Sequence, residues 1–304
     1  MAAPFKSGFI SILGRPNVGK STLFNHLLGE KIAIVAEKPQ TTRNRILGIK
    51  NIEGGQLIFL DTPGIHEGRS ELNQRMVRTA ITSGRDADVL LFLIEATAPH
   101  VEKDQQIIGF LRGTSGVPFL VINKIDLVRR KTLLPIMDQY QKVHPFREIF
   151  PISAMTGEGI DILFDEILKA LPESPPYYPE EMVTDQTERF WVSEIIREKV
   201  IQQSYQEIPH ATAVAIEEFK EHSEKNLVVI KATIHVERDS QKKILIGKGG
   251  QKLKRIGEAA RKEVEILLGT RVFLELWVNV EKNWTQDPRV LNRLGYRTTL
   301  NHSH

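Results

Sequence analysis

The stretch Gly14-Arg15-Pro16-Asn17-Val18-Gly19-Lys20-Ser21, continued by Thr22, directly follows the apolar run Phe9–Leu13 and opens an amphipathic segment, Ser21–Leu28. Strand, glycine-bearing loop and helix in that order meet the structural condition of the GxxxxGK[ST] phosphate-binding loop. The glycines let successive backbone N–H groups point inward at phosphate oxygens. The helix N-terminus adds positive potential. Lys20 supplies a point charge for the β- and γ-phosphates, and the Ser21 hydroxyl suits Mg²⁺.

Working outward, short apolar runs recur at Ile46–Ile52, Leu57–Leu60, Val89–Ile94, Phe119–Ile122 and Ile149–Ile152. Several are apolar without alternation, as strands covered on both faces are. Helical patterns lie between most of them, at Glu71–Ser83, Gln105–Leu111 and Gly159–Ala170. The alternation predicts an α/β fold: a mostly parallel sheet with helices on both faces and ligands at its carboxyl edge.

Three further motifs sit at predicted strand ends. Asp61-Thr62-Pro63-Gly64 places a carboxylate for a Mg²⁺ shell, reached through water, and a glycine N–H for a γ-phosphate. In Asn123-Lys124-Ile125-Asp126, a carboxylate can accept both N1–H and N2–H of guanine, a pair that adenine does not offer. Ser153-Ala154-Met155 puts a backbone N–H where it can meet guanine O6. Each tetrapeptide alone reads as a turn; four in fixed order on one sheet read as a guanine nucleotide site.

With these residues in place, the first half resembles the P-loop GTPases related to translation factors. That resemblance puts the effector-loop threonine in Pro39-Gln40-Thr41-Thr42-Arg43, with Thr42 as the Mg²⁺ and γ-phosphate ligand and Thr41 as its alternative. Lys20, Thr42 and Gly64 are then the catalytic group. Ile65 stands where many relatives place a water-orienting glutamine, so catalysis must come from positioning and charge neutralisation. Related loops with an asparagine at Asn17 hold a K⁺ ion; the alternative is that Asn17 only stabilises the turn. Slow turnover, accelerated by K⁺ or a partner, is expected.

At 304 residues, with 41% hydrophobic and 26% charged side chains, the chain suits two globular domains. No cysteine is present, which excludes disulfides, thiolate metal sites and a thiol nucleophile. No signal-peptide pattern opens the chain and no apolar run has membrane-spanning length, so a cytoplasmic location is expected. Residues 173–184 concentrate prolines and read as a linker between domains at 1–172 and 185–304. The net charge of +3 conceals a local excess: Arg238–Lys262 holds nine basic residues against Asp239 and Glu258.

The second half reads αββααβ plus a tail: helix Arg189–Gln203, strands Ala213–Phe219 and Leu227–His235, and a short helix before Gly247. Helix Gln251–Leu268, strand Arg271–Val280 and a last helix Pro288–Leu294 follow. Ile246-Gly247-Lys248-Gly249-Gly250 with Lys252, Lys254 and Arg255 places a GxxG turn and basic side chains between two helices, suited to a nucleic-acid backbone. GxxG in this order resembles a type II KH domain.

A P-loop GTPase joined to a type II KH domain resembles the bacterial Era GTPases nearly end to end. The resemblance implies a monomer that uses Mg²⁺ and GTP/GDP, binds the 3′ end of small-subunit ribosomal RNA rather than DNA, and acts in maturation of the small ribosomal subunit. It also implies peripheral contact with the inner face of the cell membrane. One departure stands out: relatives often carry lysines near Asn279 and Glu281. Trp284 has two readings, stacking on a base or packing the last helix. A constitutive RNA-binding assembly protein and an ATP-dependent kinase are the competing functions, the latter disfavoured by Asp126.

Overall fold

A computed structural model describes residues 4–35, 42–66, 68, 70–204, 208–209 and 211–297. The first sheet comprises β1 (Lys6–Gly14), β2 (Ile46–Ile52), β3 (Gly55–Asp61), β4 (Val89–Glu95), β5 (Val117–Asn123) and β6 (Glu148–Pro151), in spatial order β2-β3-β1-β4-β5-β6. All pairings are parallel except β2 with β3, which the tight turn at Glu53–Gly54 makes a hairpin. Helices α1 (Lys20–Leu28), α2 (Glu71–Arg85), α3 (Val101–Leu111), α4 (Leu133–Gln141) and α5 (Ile160–Ala170) flank it.

Two buried clusters lie on the two faces: Ile10, Ile12, Leu23, Phe24, Phe59, Leu91 and Phe119 on one, Leu13, Phe92, Ile94, Ile108, Leu120 and Tyr140 on the other. Strands buried on both faces explain the unalternating apolar runs. The strands match the expected runs to within three residues. Helix α4 carries no clear sequence signal, because Pro135 and a polar flank mask it; proline is tolerated in a first helical turn.

The second sheet has order β7-β8-β9, formed by β7 (Ala213–His222), β8 (Leu227–Val236) and β9 (Arg271–Val280). Strands β7 and β8 are antiparallel and β8 and β9 parallel. Helices α6 (Glu188–Gln202), α7 (Asp239–Ile246) and α8 (Gln251–Leu268) cover it, and α9 (Pro288–Arg293) follows. Its core joins Ile196, Val200, Ile230, Ile234, Leu245, Ile256 and Val264.

The proline-rich segment is fastened rather than free. Gln56 Oε1 accepts the Tyr177 and Tyr178 N–H groups, Ile49 N–H donates to Val183 O, and the Thr184 hydroxyl donates to Leu47 O. Tyr178 and Met182 pack on Leu47, Ile49, Ile58 and Leu60. Among the described residues no helix is long and apolar enough to cross a membrane.

Candidate nucleotide and nucleic-acid sites

At the carboxyl edge of the first sheet a cleft of about 460 Å³ is lined by Pro16, Asn17, Gly19, Lys20, Ser21, Thr22, Ile34, Val35, Thr42, Gly64, Glu95, Lys124 and Met155. The loop that opens it is conformationally specialised. Gly19 has φ +100°, and a Cβ there would lie 2.2 Å from Asn123 Nδ2, so glycine is required on both counts. Asn17 also adopts a left-handed backbone, φ 66°, which asparagine tolerates better than most residues.

Asn123 ties the base-side loops together. Its Nδ2 donates to Val18 O at 2.8 Å and its Oδ1 accepts Ala154 N–H at 2.9 Å. Ser153 N–H donates to Glu158 O. The Ser153 and Ala154 N–H groups are therefore hydrogen-bonded within the protein, while Met155 stands at the cleft mouth, 79% exposed. Lys124, with φ 64°, directs its ammonium to Glu95 Oε2 at 2.5 Å. Asp126 follows in an exposed helical turn, its side chain open to a ligand.

At the phosphate end, Ser21 Oγ lies 2.8 Å from both Thr42 Oγ1 and Asp61 Oδ2, and Thr42 Oγ1 lies 3.1 Å from the same carboxylate oxygen. Asp61 is fully buried and its Oδ1 has no hydrogen-bond partner. Three converging oxygens, one of them from a buried carboxylate whose second oxygen is orphaned, make a hard donor set that fits Mg²⁺. Burial raises the Asp61 pKa against the opposing pull of Lys20 and the Ser21 and Thr42 hydroxyls. Lys20 is pushed down to about 8 by burial, with Asp61 partly offsetting it. Its ammonium donates to Arg15 O at 2.9 Å. A phosphate chain would supply the countercharge that this buried ammonium lacks.

Several predicted residues make contacts within the protein instead. The Arg15 side chain turns away from the cleft, donating to Asp104 Oδ1 at 2.8 Å and to Ala98 O at 3.0 Å. The Asp104 carboxylate, fully buried in α3, also accepts the Tyr140 hydroxyl at 2.5 Å. Arg15 thus anchors the loop, and only its backbone is left for phosphate. Thr62 Oγ1 donates to Ile12 O, stitching β3 to β1. Gly14 O accepts Ile65 N–H, and the buried Ile65 packs with Leu13 and Ala80, away from any position where a side chain could hold water. Pro63 leads from Thr62 to Gly64, which abuts Pro16. Thr41, the alternative to Thr42, lies outside the described residues. Glu95, Ile34 and Val35 belong to the cleft without any sequence signal of it: the sheet order brings Glu95 there at the end of β4, and Ile34 and Val35 reach it in the chain that follows α1.

The second domain has a groove of about 310 Å³ between α8 and β9, lined by Gly250, Leu253, Lys254, Gly257, Glu258, Arg261, Leu274 and Leu276. Gly247 ends α7 at φ 71°, ψ −179°, a conformation essentially confined to glycine. The turn carries Lys248, Gly249 and Gly250 to the groove's end, with Lys254 and Arg255 exposed on the first turns of α8 and Lys252 half-buried. Ile246 is turned into the core. Trp284 is fully buried, its indole N–H donating to Ala211 O at 3.1 Å, so of its two readings the packing one holds. Glu281 pairs with Arg293, giving that acidic position a structural partner in α9, and its other oxygen lies 3.0 Å from the His235 ring.

Residues 9–124 match the family described as 50S ribosome-binding GTPase, and residues 207–285 match the KH domain. The chain is 54% identical over 292 residues to the GTPase Era of Syntrophus aciditrophicus (strain SB), covering 96% of this chain and 95% of that one. It is 55% identical over 293 residues to the GTPase Era of Geobacter metallireducens, covering 96% and 98%. Among solved structures, Era in complex with MgGDPNP and nucleotides 1506–1542 of 16S ribosomal RNA superposes with a TM-score of 0.93 at 45% identity, covering 96% of this chain and 99% of that one. A single-residue variant of Aquifex aeolicus Era bound to GDP·AlF4⁻ superposes with a TM-score of 0.92, again at 45% identity and the same coverage. By its sequence over nearly its whole length, and by a fold that joins a P-loop GTPase domain to a C-terminal KH domain, this chain belongs to the Era family of GTPases.

Proposed function

We propose that this protein hydrolyses GTP to GDP and phosphate in the cleft at Gly14–Ser21, and that its KH groove binds the 3′ end of 16S ribosomal RNA in small-subunit assembly. The observation that carries the reading is the segment containing Thr42: its hydroxyl is part of the oxygen cluster at the phosphate end, while the adjoining Arg43 is buried in the second domain. Nucleotide site and RNA-binding domain are thereby parts of one mechanical unit. The domain division at residues 173–184 belongs to the same proposal.

In this reading Asp126 pairs with the guanine edge, and Asn123 sets the loop geometry for it. Backbone N–H groups of residues 17–21, with Lys20, receive the phosphates. Ser21 and Thr42 hold Mg²⁺ directly and Asp61 through water; the ion neutralises phosphate charge when bound. Gly64 N–H meets the γ-phosphate and senses its loss. Asn17 faces the cleft where K⁺ would sit, so turnover is expected to be faster in K⁺ than in Na⁺ buffer. Exposed Lys248, Lys254 and Arg255 neutralise RNA phosphates, and the apolar groove wall at Leu274 and Leu276 receives bases. The protein works in the cytoplasm, and contact with the inner face of the membrane is peripheral.

The test is RNA affinity in Mg²⁺ buffer, with the protein loaded with a non-hydrolysable GTP analogue or with GDP. The probe is a short RNA matching the small-subunit 3′ end, with a scrambled control. A difference of about tenfold or more, about 1.4 kcal/mol of coupling, is expected. Equal affinities in both states would favour a constitutive RNA-binding assembly protein.

A further inference from the structure

Ile65 leaves the reaction without a side chain to orient water, so hydrolysis depends on how firmly Thr42 and the Asp61–Gly64 turn are held. The segments that carry these residues converge on one residue of the second domain, Tyr296. From the Thr42 side, Arg43 extends out of the GTPase domain and is only 3% exposed. Its guanidinium donates to Thr212 O at 2.7 Å, Pro209 O at 2.9 Å and the Tyr296 hydroxyl at 3.3 Å. The guanidinium carbon lies 5.7 Å from the ring centroids of both Trp284 and Tyr296, which stack on each other at 5.8 Å.

From the Asp61–Gly64 side, α2 sends Arg75 to the backbone carbonyl of the same Tyr296 at 2.7 Å and to Asn292 Oδ1 at 2.6 Å. Leu72 and Met76 of α2 pack with Trp284, Leu291 and Tyr296, and Leu72 N–H donates to Thr285 O. Tyr296 thus accepts one arginine through its hydroxyl and the other through its main chain.

We propose that Trp284 and Tyr296 form an internal receptor for Arg43 that positions Thr42 for GTP hydrolysis. The physical reason is desolvation. A guanidinium taken out of water is stable only where acceptors and aromatic faces replace its hydration. Those groups belong to residues 209–212 and 284–296, so Arg43 stays in place only while the C-terminal segment is seated. Thr42 is one peptide bond away, within reach of Ser21 and Asp61, so anchoring Arg43 restricts the positions Thr42 can take. Seating of the C-terminal segment and closure of the metal site are one equilibrium, and Tyr296 and Arg43 are positioning residues that never touch the nucleotide.

The experiment measures GTP hydrolysis by the full-length protein, with kcat and KM separated, alongside a Mg²⁺ titration and GDP affinity. For Tyr296→Ala and Arg43→Ala, kcat is expected to fall about tenfold and the half-saturating Mg²⁺ concentration to rise several-fold, with GDP affinity within about twofold of the wild type. Tyr296→Phe, which keeps the ring and the main chain, is expected to restore most of the rate. Arg43→Lys keeps the charge but loses the planar fork, and is expected to stay near the Arg43→Ala values. It keeps the stem and bulk, so it carries the test if either alanine variant fails to fold. Wild-type kcat in Arg43→Lys overturns the proposal. So does a fall in kcat with an unchanged Mg²⁺ requirement, because the effect would then not run through Thr42.

Discussion

At the residue scale, the nucleotide site depends on buried polar groups that are each committed to one job. Asn123 is 2% exposed and bridges Val18 O to Ala154 N–H. Replacing it by alanine leaves both groups buried without partners, at about 1–3 kcal/mol each. Denaturant unfolding of Asn123→Ala should show that loss, together with weakened GDP binding. Asp126 is different: it is exposed and its carboxylate is free to meet a base. Asp126→Asn should therefore leave stability unchanged and relax guanine preference, read by competition between GTP and ATP or XTP; an unchanged preference would refute the base assignment. The Arg15–Asp104–Tyr140 chain shows why residue type alone misleads. An arginine in a phosphate loop invites a phosphate contact, yet the buried Asp104 claims it.

At the element scale, the turn between α7 and α8 is set by backbone conformation. Gly247 has φ +71°, and a Cβ there would lie 2.8 Å from Lys252 Cβ. Gly247→Ala should cost about 1–3 kcal/mol through backbone strain. It should also displace the start of α8, lowering RNA affinity with GTP turnover unaffected; a thermal melt, an RNA-binding isotherm and a phosphate-release assay would check the three parts. Helix α6 carries a different lesson. The sequence pattern Trp191, Ile195, Ile196, Val200 predicts one apolar face, but Glu194, Arg197, Glu198 and Lys199 are buried as well. The helix lies between the two domains, so its polar side is covered too, and its ions are paired: Arg197 with Glu194, Lys199 with Glu198 and Glu263.

At the scale of the whole molecule, that ionic layer seats the domains against each other. Lys31 pairs with Glu198 at 3.1 Å and with Glu263 at 2.5 Å, and Val35 N–H donates to Glu198 at 3.3 Å. Burial alone would raise the Glu263 pKa, but hydrogen bonds from Lys199 and Lys31 outweigh it and hold the carboxyl below its ordinary value of 4.5. Burial likewise opposes charge on Lys31, yet Glu263 and Glu198 hold its ammonium above 10.5. A depressed carboxylate stabilises the fold above its unfolded pKa and loses that contribution as pH falls through its folded one. A raised lysine stabilises below its unfolded pKa and loses the contribution as pH rises through the folded one. The stability difference between wild type and Lys31→Ala should thus be flat from pH 4.5 to pH 10.5 and shrink on both sides. Stability curves across that range, at fixed ionic strength, measure it.

The sequence by itself determined what depends on local order along the chain. A strand, a Gly14–Ser21 loop and a helix specify a phosphate cradle through backbone conformation, and unalternating apolar runs specify a sheet covered on both faces. The GxxG turn between two amphipathic helices specifies a nucleic-acid-binding turn in the same way. The strands came out within a few residues because their burial pattern is written in consecutive side chains, whereas α4 was hidden by Pro135. What only the tertiary structure decided concerns residues far apart in the chain: Glu95 beside Lys124, Arg15 turned to Asp104, Trp284 buried rather than offered to a base, and Arg43 and Arg75 meeting at Tyr296. Those pairings are separated by 29 to 253 residues. No periodicity links such positions, because the desolvation that forces a buried charge to find a partner acts through space, after the sheet order and the domain seat have chosen its neighbours.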